Sequence, residues 1–348
     1  MAPPLHQKIQ ELFSKRKAFV LYRFPGEEEV FQLVEAQSYR PIRYDEIATE
    51  NGFVVFPFSG EQGLFLSELK GEKIPVQREI PKPRSICSKE EYLKIAESFV
   101  SSIKDGQFIK LVLSRRERIP IPSVFDPFFF FIQLCENYPE AFVHIGHYPG
   151  FGTWAGASPE GLLRTEKTYY LTMSLAGTQL HEGRDPKTIR WEKKEKEEQF
   201  IVTKAIRKTL EENQITDYKY GAPYTHLAGH LAHIRADFRF KRETVESTGK
   251  LIQSLHPTPA VGGMPQKEAQ AYIDQHEGHD RSLYSGFLGE CKTDGEVQLF
   301  VNLRCMQIME NELDLFIGGG ITADSEPEEE WKETEQKATI LKRFLGDL

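Results

Sequence analysis

The chain has 348 residues, 28% of them charged and 39% hydrophobic, with a net charge of −8 and a pI of about 5.8. These are globular proportions, long enough for a sizeable core in one large domain or two. The acidic balance argues against a nucleic-acid or membrane-surface partner, because phosphate binding needs a basic face; a small anionic substrate stays possible where cations gather locally.

At the start of the chain, Leu5, Ile9, Leu12 and Phe13 recur at helical spacing among polar residues. Residues 1–17 are therefore expected to form a short amphipathic helix, with no unbroken apolar stretch of the signal-peptide kind. Short strands are expected over 18–22, 30–34, 52–58 and 63–67, separated by turns such as Pro25-Gly26 and Ser59-Gly60. Pro81, Lys82 and Pro83 make residues 80–83 a candidate linker or surface crossover.

Ser88 and Glu91 form a capping box, and the helix behind it carries Tyr92, Ile95, Ala96 and Phe99 at core spacing until Asp105-Gly106. Residues 108–115 read as a strand in which Lys110 shares a face with Phe108 and Val112. Asp126-Pro127 is a cap and first-turn pair for a second helix, whose four phenylalanines from Phe128 onward serve the core. The apolar run 128–132 is the longest, far short of the roughly 20 residues of a membrane span. Strands follow over 142–147 and 153–155, then the turn Ala157-Ser158-Pro159-Glu160, then a strand over 169–173 that leads into Ser174-Leu175-Ala176-Gly177-Thr178.

A long helix is expected over 191–213. Most of its early charges belong to a solvated face, yet Glu195, Glu198, Val202, Ala205, Ile206 and Thr209 form one stripe that begins with two glutamates and turns apolar. In residues 224–238, a helix would align His226, His230 and His233 as a zinc set, whereas a strand would separate them; the H-E-x-x-H glutamate is absent. Residues 256–265 are too rich in Pro and Gly for regular structure and read as an ordered loop. Antiparallel strands are expected over 284–288, 297–307 and 313–317, with Asp294-Gly295 as a hairpin turn. Arg304 falls mid-strand among apolar neighbours, where a guanidinium needs an anionic partner and best suits a carboxylate.

Gly318, Gly319 and Gly320 then read as a hinge into a helix with Pro327 in its first turn, capped by Ser325 or Glu326. Glu326, Glu328 and Glu329 complement the helix dipole. Glu330 and Glu333 instead head the stripe Glu330, Glu333, Lys337, Ile340, Leu341 and Phe344. Two helices, each with an i, i+3 glutamate pair at the head of its buried face, point to a divalent-ion site, and all-oxygen ligands favour Mg²⁺. Cys87, Cys135, Cys291 and Cys305 have no C-x-x-C spacing, so a reduced, cytoplasmic setting is expected. Hairpin-linked strands outnumber βαβ units, which favours an α+β fold with antiparallel sheets.

Taken together, these segments resemble the chorismate-utilising enzymes, and most closely the isochorismate synthases. The resemblance covers residues 88–348 and rests on Lys110-Leu111-Val112-Leu113-Ser114-Arg115, Ala157-Ser158-Pro159-Glu160, Leu175-Ala176-Gly177-Thr178, the Glu195/Glu198 helix, His256-Pro257-Thr258-Pro259-Ala260, Arg281-Ser282-Leu283-Tyr284-Ser285-Gly286, Arg304-Cys305 and the Gly318 to Glu333 stretch. It implies one chorismate-binding domain over 1–348, two packed antiparallel β-sheets flanked by helices, with 1–86 a diverged N-terminal part and 88–348 the catalytic core. It further implies that Glu198 and Glu333 coordinate Mg²⁺ while Glu195 and Glu330 hold its waters. Arg304 would grip a substrate carboxylate. Ala176, Gly177, Thr178, His256 and Gly318 to Gly320 would line the substrate site.

By the same resemblance, Lys110 is the base that activates water to attack C2 of chorismate, and Glu160 the acid that protonates the departing C4 hydroxyl. That chemistry needs a lysine neutral part of the time, against an ordinary pKa of about 10.4, and a glutamate with a raised one. Anthranilate synthases typically carry glutamine at the position of Lys110, and aminodeoxychorismate synthases a lysine at that of Ala176. Water is therefore the expected nucleophile, with no glutaminase partner, in a monomer or homodimer. Salicylate synthases share these features and add pyruvate elimination. Gln199 stands where the family usually has histidine, and Glu290 where it usually has tryptophan. Outside the family, the alternatives are a zinc protein on the three histidines or a carboxylate-rich binding protein.

Overall fold

The computed structural model describes residues 2–28, 30–77, 88–181 and 183–345, residues 2–4 by backbone only. The 80–83 linker, Cys87 and much of the boundary between the N-terminal part and the core lie outside these. In chain order the elements are α1 (Ala2–Ser14), β1 (Phe19–Arg23), β2 (Gln32–Glu35), β3 (Ser38–Arg43), β4 (Gly52–Phe56), β5 (Gln62–Ser67), α2 (Lys89–Lys104), β6 (Lys110–Pro120), α3 (Pro127–Asn137), β7 (Phe142–Tyr148), β8 (Gly152–Ser158), β9 (Gly161–Glu166), β10 (Tyr169–Leu180), α4 (Lys193–Glu212), β11 (Tyr218–Tyr220), β12 (Tyr224–Ala228), β13 (Leu231–Lys241), α5 (Thr248–Leu255), β14 (Gly263–Met264), α6 (Gln266–His276), β15 (Phe287–Cys291), β16 (Val297–Val301), β17 (Cys305–Ile308), β18 (Glu312–Ile321) and α7 (Pro327–Lys342).

The strands form two antiparallel sheets. One has the order β14-β6-β18-β17-β8-β7-β1-β2; the other runs β11-β13-β10-β9-β16-β15-β4-β5-β3, with β12 on β13. The N-terminal strands enter both sheets, β1 beside β7 and β4 beside β15. Between the sheets, Val20, Tyr22 and Trp154 meet Phe53, Leu64 and Phe300, and the Phe142 ring stacks on Phe300 at 4.4 Å. The outer faces are closed by helices, α1, α3 and α7 on the first sheet and α4 and α5 on the second. This is the α+β sandwich expected. Among the described residues no helix is long and apolar enough to cross a membrane.

Local signals account for several helix starts. Ser88 and Glu91 exchange the capping-box hydrogen bonds at α2, and Asp126 Oδ1 accepts from the backbone N–H of Phe128 and Phe129 at α3. α7 differs from expectation. Its N-cap is Glu326, which makes no side-chain cap bond, while Ser325 Oγ accepts from Thr322 N. Phe344 lies beyond the end of the helix but still packs on the core.

Candidate active site

Two passages of the chain from one sheet to the other create the site. β8 belongs to the first sheet and β9 to the second, so Pro159-Glu160 is a sheet-to-sheet step. The expected single strand over 297–307 is likewise broken. β16 ends at Val301 in the second sheet, β17 begins at Cys305 in the first, and Arg304 takes φ +48° between them. Arg304 therefore sits at a crossover, not mid-strand, in a left-handed conformation that is costly for a residue with a Cβ. The two steps are bonded to each other: Val301 N donates to Glu160 O at 3.0 Å, and Ala157 N to Arg304 O at 3.1 Å. Glu160 and Arg304 thus reach the same cleft, which both line and which, with the solvent at its mouth, spans about 910 Å³.

The other walls come from strand residues. Ala176, Gly177 and Thr178 lie in β10, whose register against β13 shifts between Ala176 and Gln179, with Gly177 at φ +71°. A Cβ at Gly177 would lie 2.9 Å from Glu195 Cβ, so this position demands glycine twice over. Gly318, Gly319 and Gly320 are not a hinge. They continue β18, opposite Ser114, Leu113 and Val112 of β6. Glycine is needed there because the strand meets side chains head-on: a Cβ on Gly318 would crowd the Tyr284 hydroxyl, and one on Gly320 would overlap Glu198 Oε1 and lie 3.0 Å from Lys110 Cε. Gly320→Ala should consequently push Glu198 off its position and away from Lys110, cut turnover at least about tenfold and lower the melting temperature, checked by kcat beside a thermal melt.

Glu160 is 2% exposed, and its carboxyl accepts a hydrogen bond from Thr258 Oγ1 at 3.1 Å. Burial pushes its carboxyl up to about 7; the Thr258 bond and the nearby Lys110 charge pull only partly the other way. Lys110 is fully buried just behind the lining of the cleft. Its Nζ stands 2.8 Å from Glu198 Oε1 in a contact too poorly aligned to count as a hydrogen bond, and it has no hydrogen-bond partner. Burial favours the neutral acid at Glu198, but Lys110, with Lys337 and Lys194 behind it, together outweigh that and hold the carboxyl below its ordinary value.

The four glutamates of the paired helices collect at one end of this cleft. Glu198 and Glu333 line it. Glu195 lies against Gly177, and Glu330 behind Gly319, where a Cβ would sit 3.7 Å from Glu330 Oε2 and 3.9 Å from Glu333 Oε1. Lysines answer three of them: Lys110 on Glu198, Lys337 on Glu333 at 2.6 Å and Lys194 on Glu330 at 2.6 Å. With three of the four carboxylates turned onto an ammonium, no three acidic, imidazole or thiol groups among the described residues converge closely enough to hold a cation as they stand. The donor set nevertheless fits a hard divalent ion. All donors are oxygens, and Glu195 Oε2 and Glu330 Oε2 are buried without a hydrogen-bond partner.

Arg304 faces the cleft with no carboxylate in contact among the described residues. Nη1 donates to Ala228 O at 2.9 Å, and Nη2 lies 2.6 Å from His233 Nε2. For Nε2 to accept, His233 must be neutral with its proton on Nδ1, which then donates to Gly177 O at 2.9 Å. Burial, and then Arg304 itself, hold this imidazole well below its ordinary pKa. A guanidinium propped in place and left without an anion is a receptor for one.

Two expectations need correction. His256 does not line the cleft: its Nε2 bonds to Pro57 O at 3.0 Å and its ring packs on Phe287. The loop reaches the site through Thr258, Ala260 and Val261 instead. Nor do the three histidines align. Residues 224–241 fold as the β12–β13 hairpin, with His226 opposite His233 and His230 in the turn, so the helix that a zinc triad requires is not formed. Thr258, Tyr284, Lys194 and Lys337 carry no site role from sequence, and His233 was considered there only as a zinc ligand. Of these, only Lys337 was flagged by a glutamate stripe. The two departures from family pattern are structural: Gln199 Nε2 ties α4 to Ser174 of β10, and Glu290 accepts from the Tyr22 hydroxyl.

Such a cleft brings a buried acid, a buried amine and a guanidinium without a carboxylate partner among the described residues to the meeting of two sheets, an arrangement suited to acid–base chemistry on a small carboxylate. The chain belongs to the chorismate binding enzymes, whose family profile matches residues 62–346. It is 32% identical over 253 residues to the salicylate biosynthesis isochorismate synthase of Pseudomonas aeruginosa, covering 71% of this chain and 53% of that protein. It is 31% identical over 247 residues to the isochorismate synthase EntC of Escherichia coli, covering 69% and 63%. These matches span a little over half of the relatives' own length. The crystal structure of a protein described as a 2,3-dihydroxybenzoate-specific isochorismate synthase, DhbC of Bacillus anthracis, matches with a TM-score of 0.81 over 98% of this chain and 99% of that one, at 23% identity. That likeness concerns the fold.

Proposed function

We propose that this chain is an Mg²⁺-dependent isochorismate synthase that adds water at C2 of chorismate with loss of the C4 hydroxyl. The observation that carries the reading is the pairing of two buried groups of opposite task at one cleft: Lys110, and a Glu160 whose carboxyl is held near neutrality. Lys110 takes a proton from the attacking water as its oxygen bonds to C2, the ring double bonds shift, and Glu160 gives its proton to the C4 oxygen as that bond breaks. One water enters and one leaves, so the reaction is an isomerisation. Arg304, propped by His233, holds a carboxylate of the substrate, and the glycine walls let the ring approach the backbone.

Glu198 and Glu333 would hold the metal directly, with Glu195 and Glu330 behind them. When bound, Mg²⁺ would neutralise a substrate carboxylate and tie it to the protein. The relatives named as isochorismate synthases and the presence of Lys110 and Ala176 support water as nucleophile, in a chain without a glutaminase partner. Menaquinone and siderophore routes both use such a product, in a cytoplasmic monomer or homodimer.

Incubating the protein with chorismate and Mg²⁺, with and without ammonia, and identifying the product tests the reading. Isochorismate is expected in both; salicylate with pyruvate, or anthranilate when ammonia is present, would replace it. The pH dependence follows from Glu160. Because the working form is the protonated one and burial raises its pKa, activity should be retained below about 7 and decline as pH rises through about 7. A pH–rate profile checks this, and the same limb should vanish in Glu160→Gln.

A further inference from the structure

Three ammonium groups answer three carboxylates at the acidic end of the cleft, but they are not equally free to leave. Lys110 is entirely buried, and Lys337 also donates to Gly318 O at 2.9 Å. Lys194 stands in the first turn of α4, one residue before Glu195, and its side chain is 41% exposed. Its only hydrogen bond among those described goes to Glu330 Oε1, 2.6 Å away. Glu330 is 1% exposed, and its other oxygen is buried with no partner. After Lys194, the charge that acts on it most strongly is that of Glu333, which repels it.

A carboxylate so enclosed needs a positive charge against it. Lys194 supplies one from a flexible chain with open solvent at its back, so it can be exchanged for another cation without disturbing α4 or α7. We propose that Lys194 is the resident counter-cation of this carboxylate group: it clamps α4 to α7 while the site holds no divalent ion, and is displaced from Glu330 when one binds. The inference rests on the metal site put forward above. Metal binding is then a competition, and Lys194 sets the apparent affinity by the linkage that governs any exclusive pair of ligands.

The test is calorimetric titration of the chorismate-free protein with Mg²⁺ alone, at about 0.15 M salt so that distant charges are screened. Lys194→Met should bind Mg²⁺ about tenfold more tightly than the wild type, an effect within the usual range for coupled sites. Its melting temperature should fall without the metal and recover with saturating Mg²⁺. Lys194→Arg, which keeps a cation on Glu330, should behave like the wild type. Lys193→Met removes a neighbouring lysine that pairs with Glu197 at 3.3 Å and should leave the affinity unchanged. Equal or weaker binding by a folded Lys194→Met overturns the proposal, as does the same gain in Lys193→Met, which would mark a general field effect. If the wild type binds Mg²⁺ and converts chorismate while Lys194→Met shows no gain, this inference alone falls. If the wild type takes up no Mg²⁺, the metal assignment falls with it.

Discussion

Lys110→Met is expected to lower kcat for chorismate by about 100- to 10,000-fold, the range usual for loss of a positioned general base. The side chain comes from β6 and is fully buried just behind the cleft lining, with Gly320 against its Cε and Glu198 against its Nζ. Among the described residues no other lysine is buried, so no neighbour stands ready to take over the proton. Methionine preserves most of the volume and removes only the charge, and it leaves Glu198 as a buried carboxylate without its ammonium. A second effect should therefore accompany the first: the metal-free variant should melt lower than the wild type, and Mg²⁺ should restore part of the loss. Rapid-quench turnover with a thermal melt in the presence and absence of Mg²⁺ reads both. Wild-type kcat in Lys110→Met would remove this residue as the base.

Glu333→Ala and Glu198→Ala should each abolish Mg²⁺-supported turnover, and Glu330→Gln should weaken it by a smaller factor, about 10- to 100-fold, as for groups that act behind the ligands. The ranking comes from placement. Glu198 and Glu333 line the cleft, whereas Glu330 lies behind Gly319. Glu333→Ala also strips Lys337 of its carboxylate, leaving it bound to Gly318 O alone. An Mg²⁺ titration of activity checks the order; equal losses at Glu330 and Glu333, or an unchanged titration in Glu333→Ala, would refute the division of labour.

Much of the site was legible because its signals are local. The glutamate pairs at Glu195/Glu198 and Glu330/Glu333 are read from helical spacing, and Asp126-Pro127 and Ser88 through Glu91 announce helix starts by capping chemistry within a few residues. Lys110 and Glu160 were singled out only through the family resemblance, since a lysine in a strand and a glutamate after a turn have ordinary surface readings. The missed elements depend on distant partners. β3 is held by β5, and β18 continues through three glycines because β6 supplies ten consecutive partners, from Pro120 to Leu111. Propensity alone would have ended that strand at Ile317.

The sequence by itself determined the α+β class and the two acidic helix faces, because periodicity and caps are properties of neighbouring residues; the candidate acid and base came from it only through the family resemblance. Tertiary structure alone decided what those residues meet. It brought Glu160 and Arg304 to one cleft by passing the chain twice between sheets, gave His233 to Arg304 by folding a hairpin, turned His256 away into the core, and set a lysine against three of the carboxylates. Each of these contacts joins segments far apart in the chain, and their energies come from burial and charge that exist only once the sheets have packed.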